Sequence, residues 1–431
     1  MSTMKVVELP YGGERLHVEI PRENLLAVVE PADVQPASDP ATLVLEAVSH
    51  PVASAPLREL VKPKQRVLII IDDLTRPTPQ HQILPPLLQE IQGVSSELDI
   101  EILIATGTHR PMTPAEIRKK VGAHIAERYK ITNHDWTNKD GLVDLGYTAN
   151  GTPIQVNRLV MEADLVLGSG STVPHCLAGW AGGAKIIQPG ICGYDTTVMT
   201  HALNMVSPLP HLGRLDNPMR QEIEEIVKMV PLHFMVNAVV DRHGQIVHIV
   251  AGEPRRAHRQ SVELAKAIWQ IPVPRLGDVV LVSSYPADID YWQGIKGLFA
   301  AELIVKRGGS IILATPCPEG ISGTAEHAES MAAMAGLPSR LMRHEARRRG
   351  IRDLAGINTA VVAARINELA WVSVYSHGLS DRDLAVLGHE RAASLQEGLQ
   401  QALVRQCPQA GVIVITHGGE TYPLLASQLP D

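Results

Sequence analysis

A chain of 431 residues exceeds one comfortable hydrophobic core, since domains of roughly 100–200 residues are the rule, and two domains are expected. Hydrophobic residues at 45% and charged residues at 20% are the balance of a globular protein, and no apolar run reaches the roughly 18–20 residues of a membrane span. A net charge of -7 without a clustered basic surface argues against a nucleic-acid partner, because phosphate backbones are held by grouped Lys and Arg.

The first twenty residues alternate apolar and polar around a Tyr-Gly-Gly turn, which predicts a hairpin; they lack the apolar block of a signal peptide, so a cytoplasmic protein is expected. After a proline-containing link (31–40), RVLIIIDDLTRPTP (66–79) is a β-branched run ending in a charged, proline-punctuated loop, the form of a parallel strand with an exposed functional end. DIEILIATGTHRPMT (99–113) repeats that form, and TPAEIRKKVG follows as a helix capped by Thr113 and Glu116. A third strand, ADLVLG (163–168), runs into the glycine-dense stretch GSGSTVPHCLAGWAGGAKIIQPGICG (168–193). In a parallel α/β sheet the C-terminal strand ends share one edge, so Asp73, Arg76, His109 and His175 are expected to converge on one crevice.

HFMVNAVVDRHGQIVHIVAGEP (233–254) reads as a hairpin turning at 242–244, and 253–270 as a helix. IPVPRLGD (271–278) is proline-rich and aperiodic, and the domain boundary is drawn there, giving residues 1–272 and 273–431. Beyond it DVVLVSSYP, SIILATPCPEG, WVSVYSHG and GVIVITHGG are four strand-then-glycine units between helices. The fold class expected is therefore two α/β domains, each with a largely parallel sheet, with the active site in the cleft between them. The arginines of 340–349 read as one solvated helix face. Cys176, Cys192, Cys317 and Cys407 lie far apart with no C-x-x-C spacing, so they are read mostly as buried small hydrophobes, not as a disulfide or thiolate-zinc framework.

Three histidines, His109, His175 and His201, follow predicted strands or the glycine loop and share the expected crevice with Asp73, Arg76 and Lys185. Lys185 follows a run of small residues. A desolvated amine there is a nucleophile toward a carbonyl-type carbon, and a phosphate-binding lysine in a glycine loop is the alternative. Gln293 and Lys296 stand three apart on a helix beginning near Asp288 to Asp290, an amide and an ammonium suited to a carboxylate.

Taken together, DDLTRP, ATGTHRP, PHCLAGWAGGAK, THALN and D-x-D-x-x-Q-x-x-K, in that order over about residues 66–300, resemble the nickel-pincer lactate racemase family. The resemblance implies racemisation or epimerisation at C2 of a 2-hydroxy carboxylate by hydride transfer through a 2-keto acid. The cofactor implied is a nickel-pincer nucleotide, a pyridinium mononucleotide carrying nickel and tethered covalently to Lys185, with Gly182, Gly183, Thr108 and Arg76 against it and His201 as the metal ligand. His109 and His175 would be the acid/base pair, oriented by Asp73 and Arg76, while Gln293, Lys296 and Trp292 would hold the substrate. Cofactor-synthesis and nickel-insertion proteins would be partners in maturation. Two departures are visible: Trp292 stands where tyrosine is expected, and Asn358 aligns with a tryptophan that the family sets against a small substrate. A polar residue there points to a longer or more hydroxylated acid. The rival readings are a sugar-acid 2-epimerase of the same family, a zinc hydrolase built on the three histidines, and a non-catalytic small-molecule binder.

Overall fold

The computed structural model describes residues 3–207 and 210–428. Two six-stranded sheets, each covered by helices, carry the molecule. In the first, the strands lie in the order Ile246–Gly252, Phe234–Val240, Leu165–Ser171, Arg66–Asp72, Asp99–Ala105 and Lys130–Asn133. Only the Phe234–Val240/Ile246–Gly252 pair is antiparallel, the expected hairpin; the other four pairings are parallel. The central strands are long aliphatic runs because both faces are covered: Ile69, Ile70, Ile71 and Leu167 are all buried, each contributing about 1.5–3 kcal/mol of apolar burial.

The order in which the chain adds strands to this sheet reverses between the parallel neighbours Arg66–Asp72 and Leu165–Ser171, where Ile70 pairs with Gly168 and Ile71 with Ser169. The strands that follow the first build outward on one side, and those that follow the fourth build outward on the other. Connecting segments must diverge at that point, and a crevice opens beyond the C-terminal ends of the two strands. The loops leaving them carry Asp73 with Arg76 and His175 with Lys185.

The second sheet is ordered Glu390–Arg391, Trp371–Tyr375, Val305–Ala314, Gly277–Ser283, Val412–Ile415 and Leu25–Val29, parallel throughout. It has the same divergence between Gly277–Ser283 and Val412–Ile415; the loop leaving the first carries Trp292, Gln293 and Lys296, and the loop leaving the second carries Glu420. Its sixth strand comes from the N-terminus. The predicted hairpin, Met4–Tyr11 with Glu14–Pro21, also packs on this sheet, with Leu9, Val18 and Ile20 buried against Val279, Leu281 and Val412. Residues 4–29 thus lie with the second sheet although they precede the expected division at 272/273. The strand Gln270–Val273 at that division pairs in parallel with Tyr422–Leu425 near the other end of the chain.

Local signals behave as their chemistry dictates. Thr113 and Glu116 form a reciprocal capping box on the helix Pro114–Val121. The basic helix Ser339–Arg348 buries Met342 and Ala346, while Arg348 and Arg349 pair with Glu345 at the surface. Cys176, Cys192 and Cys317 are buried and Cys407 is exposed. No helix among the described residues is long and apolar enough to cross a membrane.

Candidate functional site

The loop after Arg66–Asp72 is fixed by its own two aspartates. Asp72 is nearly buried and accepts from Lys120 Nζ at 3.1 Å, from Gln80 Nε2 at 3.2 Å and from the Thr78 hydroxyl; Lys120 also donates to the Arg76 carbonyl at 2.9 Å. The next residue, Asp73, turns the other way. Its Oδ1 accepts from the Thr75 amide and hydroxyl at 3.1 and 2.6 Å, and its Oδ2 meets His109 Nδ1 at 2.7 Å. Burial works to raise the Asp73 carboxyl, yet the His109 ring, the Arg76 guanidinium and the Thr75 hydroxyl together hold it well below the usual carboxylate range. An ionised Asp73 requires Nδ1–H on His109, so Nε2 carries the lone pair.

His109 reaches this position because Gly107 adopts φ +57, packs on Pro189 and donates to the Gly190 carbonyl at 2.9 Å. Across the cleft, Asp290 caps the short helix Tyr291–Gly294, accepting from the Gln293 amide at 2.8 Å. The Gln293 side-chain amide then donates to His109 Nε2 at 3.2 Å, and Lys296 Nζ donates to Gln293 Oε1 at 2.5 Å. Lysine, glutamine, histidine and aspartate therefore form one polarised hydrogen-bond chain spanning the two sheets. Burial, aided by the cation of Arg76, pushes the Lys296 ammonium down to about 8.

His175 lies in a two-residue strand, Pro174–His175, paired with Gly179–Trp180. Gly179 is obligatory, since it sits at φ +77 and a Cβ there would lie 1.8 Å from the Arg214 carbonyl oxygen. His175 Nδ1 accepts from the Leu177 and Ala178 amides, each at 3.2 Å, so the neutral ring carries its proton on Nε2. Burial, then the charges of Lys185, Arg76 and Lys296, keeps this imidazole well below the ordinary histidine range.

Lys185 is on the 3-10 turn Gly183–Ile186. Burial first, then the cations of Arg76 and Lys296, drives its amine well below the ordinary lysine value, which favours the free base. Gly182 lines the cavity beside it, whereas Gly183 turns away: a Cβ on Gly183 would lie 2.6 Å from the His258 ring, which bonds the Ala181 carbonyl at 2.8 Å. His201 occupies the last turn of the helix Tyr194–Ala202, not a strand end, and its Nδ1 donates to the Thr197 carbonyl at 2.8 Å. Nε2 is left with its lone pair, and burial lowers the ring to about 4, so it is neutral near pH 7.

Of the site residues expected from the sequence, all except Gly183 line one cavity of about 110 Å³: Asp73, Arg76, Thr108, His109, His175, Gly182, Lys185, His201, Trp292, Gln293 and Lys296, with Asn358 and Thr359 also in its lining. Its side chains are held by partners that the sequence does not single out. Trp292 stacks on His327 with ring centroids 4.2 Å apart and planes at 12°, and its ring centroid lies 6.5 Å from that of His201. His327 bonds Asp353 at 2.9 Å, and Asp353 caps the helix Leu354–Leu369 that carries Asn358. Glu420 is buried nearby; burial raises it to about 7 against the opposing pull of Lys296 and Arg76. The zinc reading asks for three convergent protein ligands, and among the described residues no group of three His, Cys, Asp or Glu side chains could hold a metal ion.

Known proteins agree with this architecture. Residues 11–213 match the lactate racemase N-terminal domain and residues 274–420 the lactate racemase C-terminal domain. Lactate racemase of Lactiplantibacillus plantarum is 30% identical over 421 residues, covering 96% of this chain and 99% of its own, and that of Thermoanaerobacterium thermosaccharolyticum is 32% identical over 326 residues, covering 74% and 76%. The solved apoprotein structure of lactate racemase from Thermoanaerobacterium thermosaccharolyticum superposes with a TM-score of 0.88 at 28% identity, over 97% of this chain and 100% of that one. A crystal structure of a Thermotoga maritima protein shares the fold, with a TM-score of 0.73 at 21% identity over 91% and 100% of the two chains. With its cavity at the facing divergence points of two parallel sheets and both halves matched, this chain belongs to the lactate racemase family, a family of isomerases.

Proposed function

We propose that the chain interconverts the two configurations at C2 of a 2-hydroxy carboxylic acid, by hydride transfer through a 2-keto acid, using a nickel-pincer nucleotide tethered to Lys185. The observation that carries this reading is the hydrogen-bond chain from Lys296 through Gln293 and His109 to Asp73. It puts a carboxylate grip and a directed imidazole base within reach of one small molecule.

The donor set fits the cofactor. Lys185 offers a buried amine whose ammonium form is disfavoured, as bond formation to a carbonyl-type carbon requires, and His201 offers one imidazole nitrogen with its other nitrogen occupied by the Thr197 carbonyl. The buried Ser171 hydroxyl has no partner among the described residues, and the Arg76 guanidinium makes no ion pair there, so an anionic nucleotide has donors to meet. Held by Lys185 and His201, with Arg76 beside it, such a cofactor would supply a hydride acceptor for the C2 hydrogen.

The protein's part follows from its own groups. The substrate carboxylate takes Lys296 and the Gln293 amide, which frees His109 Nε2 to accept the proton of the 2-hydroxyl; Asp73 stabilises the imidazolium that results. Loss of C2 hydrogen as a proton would instead leave a poorly stabilised dianion. His175, on the same cavity, presents Nε2–H to the substrate oxygen, and for the mirror-image hydroxyl it must give up the Leu177 and Ala178 bonds to act as the base. The keto acid is planar at C2, so either face can take the hydride. Apolar neighbours, including Leu177, Met235 and Phe299, limit water around it. Loading of Lys185 calls for cofactor-synthesis and nickel-insertion proteins.

Co-expression with such proteins tests the reading. A covalent mass increase located on Lys185, stoichiometric nickel and loss of optical rotation from an enantiopure 2-hydroxy acid are expected; Lys185→Ala should lose all three. Stoichiometric zinc with an unmodified Lys185 would contradict it.

A further inference from the structure

Most polar groups in the cavity wall are matched to one another, and Asn358 is an exception. It is 3% exposed and sits in the second turn of the helix Leu354–Leu369. The Asn204 amide donates to Asn358 Oδ1 at 2.9 Å, which sets the orientation of the Asn358 side chain and commits its carbonyl. Its NH2 group has no partner among the described residues, and the residue lines the cavity that holds Lys296 and His109. The adjacent Thr359 also lines it, and its hydroxyl makes only a long 3.4 Å contact with the Ala355 carbonyl. A buried donor of this kind is retained where a ligand oxygen meets it.

We propose that Asn358, with Thr359, binds a hydroxyl carried on C3 or beyond by the substrate, so that the preferred substrates are hydroxylated 2-hydroxy carboxylates and not simple alkyl ones. The inference rests on the C2 chemistry proposed above and specifies its substrate. A hydroxyl suits the site because it can accept from the Asn358 amide and exchange a hydrogen bond with Thr359. A second carboxylate suits it less: Asn358 and Thr359 are both uncharged and offer a carboxylate no cation of their own. An alkyl substrate would bring a methyl group against the amide and leave it unmatched, with a loss of roughly 10- to 100-fold. Where C3 is itself a stereocentre, the reaction is an epimerisation.

The test uses the cofactor-loaded enzyme and three probes: lactate, glycerate (2,3-dihydroxypropanoate) and malate. The wild type should invert glycerate with kcat/KM at least about 10-fold above lactate and malate, and Asn358→Leu, similar in volume, should bring the glycerate-to-lactate ratio close to one. Equal use of lactate and glycerate, a preference for malate, or an unchanged ratio in Asn358→Leu would overturn the proposal. If none of the three is turned over by a protein with loaded Lys185, the C2 reading fails by itself. Calorimetry on the cofactor-free protein then decides the Asn358 contact: tighter glycerate than lactate supports it, and equal affinity overturns it. The wild-type comparisons stand even if the variant does not fold.

Discussion

At the scale of single residues, the proposed reaction would use His109 and His175 differently. His109 presents a lone pair at Nε2 because Asp73 takes its N–H, whereas His175 presents an N–H because two backbone amides occupy its Nδ1. The overall equilibrium constant fixes the ratio of kcat/KM in the two directions, so the difference is expected in kcat and KM separately, measured from each pure stereoisomer. Asp73→Asn should lower kcat by about 100-fold or more with little change in melting temperature, since it removes the group that sets the His109 tautomer. Lys296, lowered to about 8 by burial, is charged below that pH and loses its proton above it. The KM for a carboxylate substrate should therefore rise as pH increases through about 8, and Lys296→Met should raise KM at all pH values and flatten the profile. Asp73, His109 and His175 were legible because each follows a strand or sits in a glycine-dense loop, and Lys296 because it stands three residues from Gln293 on a helix. The Lys120 bond to Asp72 and the His327 bond to Asp353 were not, because helix residues with ordinary spacing carry no mark of the loop they will meet.

At the scale of elements, the glycine-dense stretch 168–193 does two different things. Gly182 lines the cavity, where φ +81 and a Cβ path blocked by Thr172 require glycine, but Gly183, expected against the cofactor, combines φ +58 with contact against His258. Gly183→Ala should destabilise the fold by about 2 kcal/mol or more, visible as a lower denaturation midpoint, and displace Lys185. Asp353→Ala should cost about 1–2 kcal/mol through the lost cap, and loosen Trp292 through His327, seen as a change in indole fluorescence. The long parallel strands announced themselves through runs of Ile, Val and Leu that stop at glycine or proline. The two-residue strands Pro174–His175 and Gly179–Trp180 are too short to show any period, and His201, expected after a strand or the glycine loop, lies in the last turn of a helix.

For the whole molecule, the cleft is formed by two sheets whose divergence points face one another, and the chain crosses between the halves more than once. Alternation in the first twenty residues shows a hairpin but not the sheet it will cover, so the place of residues 4–29 emerges only from packing on Val279, Leu281 and Val412. Buried Glu420 ties stability to pH at this junction. Its folded value of about 7 lies above the unfolded value near 4.5, so between these pH values the folded protein holds a proton that the unfolded chain has released, and stability falls as pH rises through that window. Glu420→Gln should abolish this slope and melt higher than the wild type near pH 8, by up to about 3 kcal/mol. The proposed reaction turns on the fate of the C2 hydrogen in the cleft these sheets enclose. It is tested most directly by inverting a C2-deuterated 2-hydroxy acid with the cofactor-loaded enzyme in ordinary water: the inverted product should retain its deuterium, and loss of deuterium to solvent at every turnover would contradict hydride transfer.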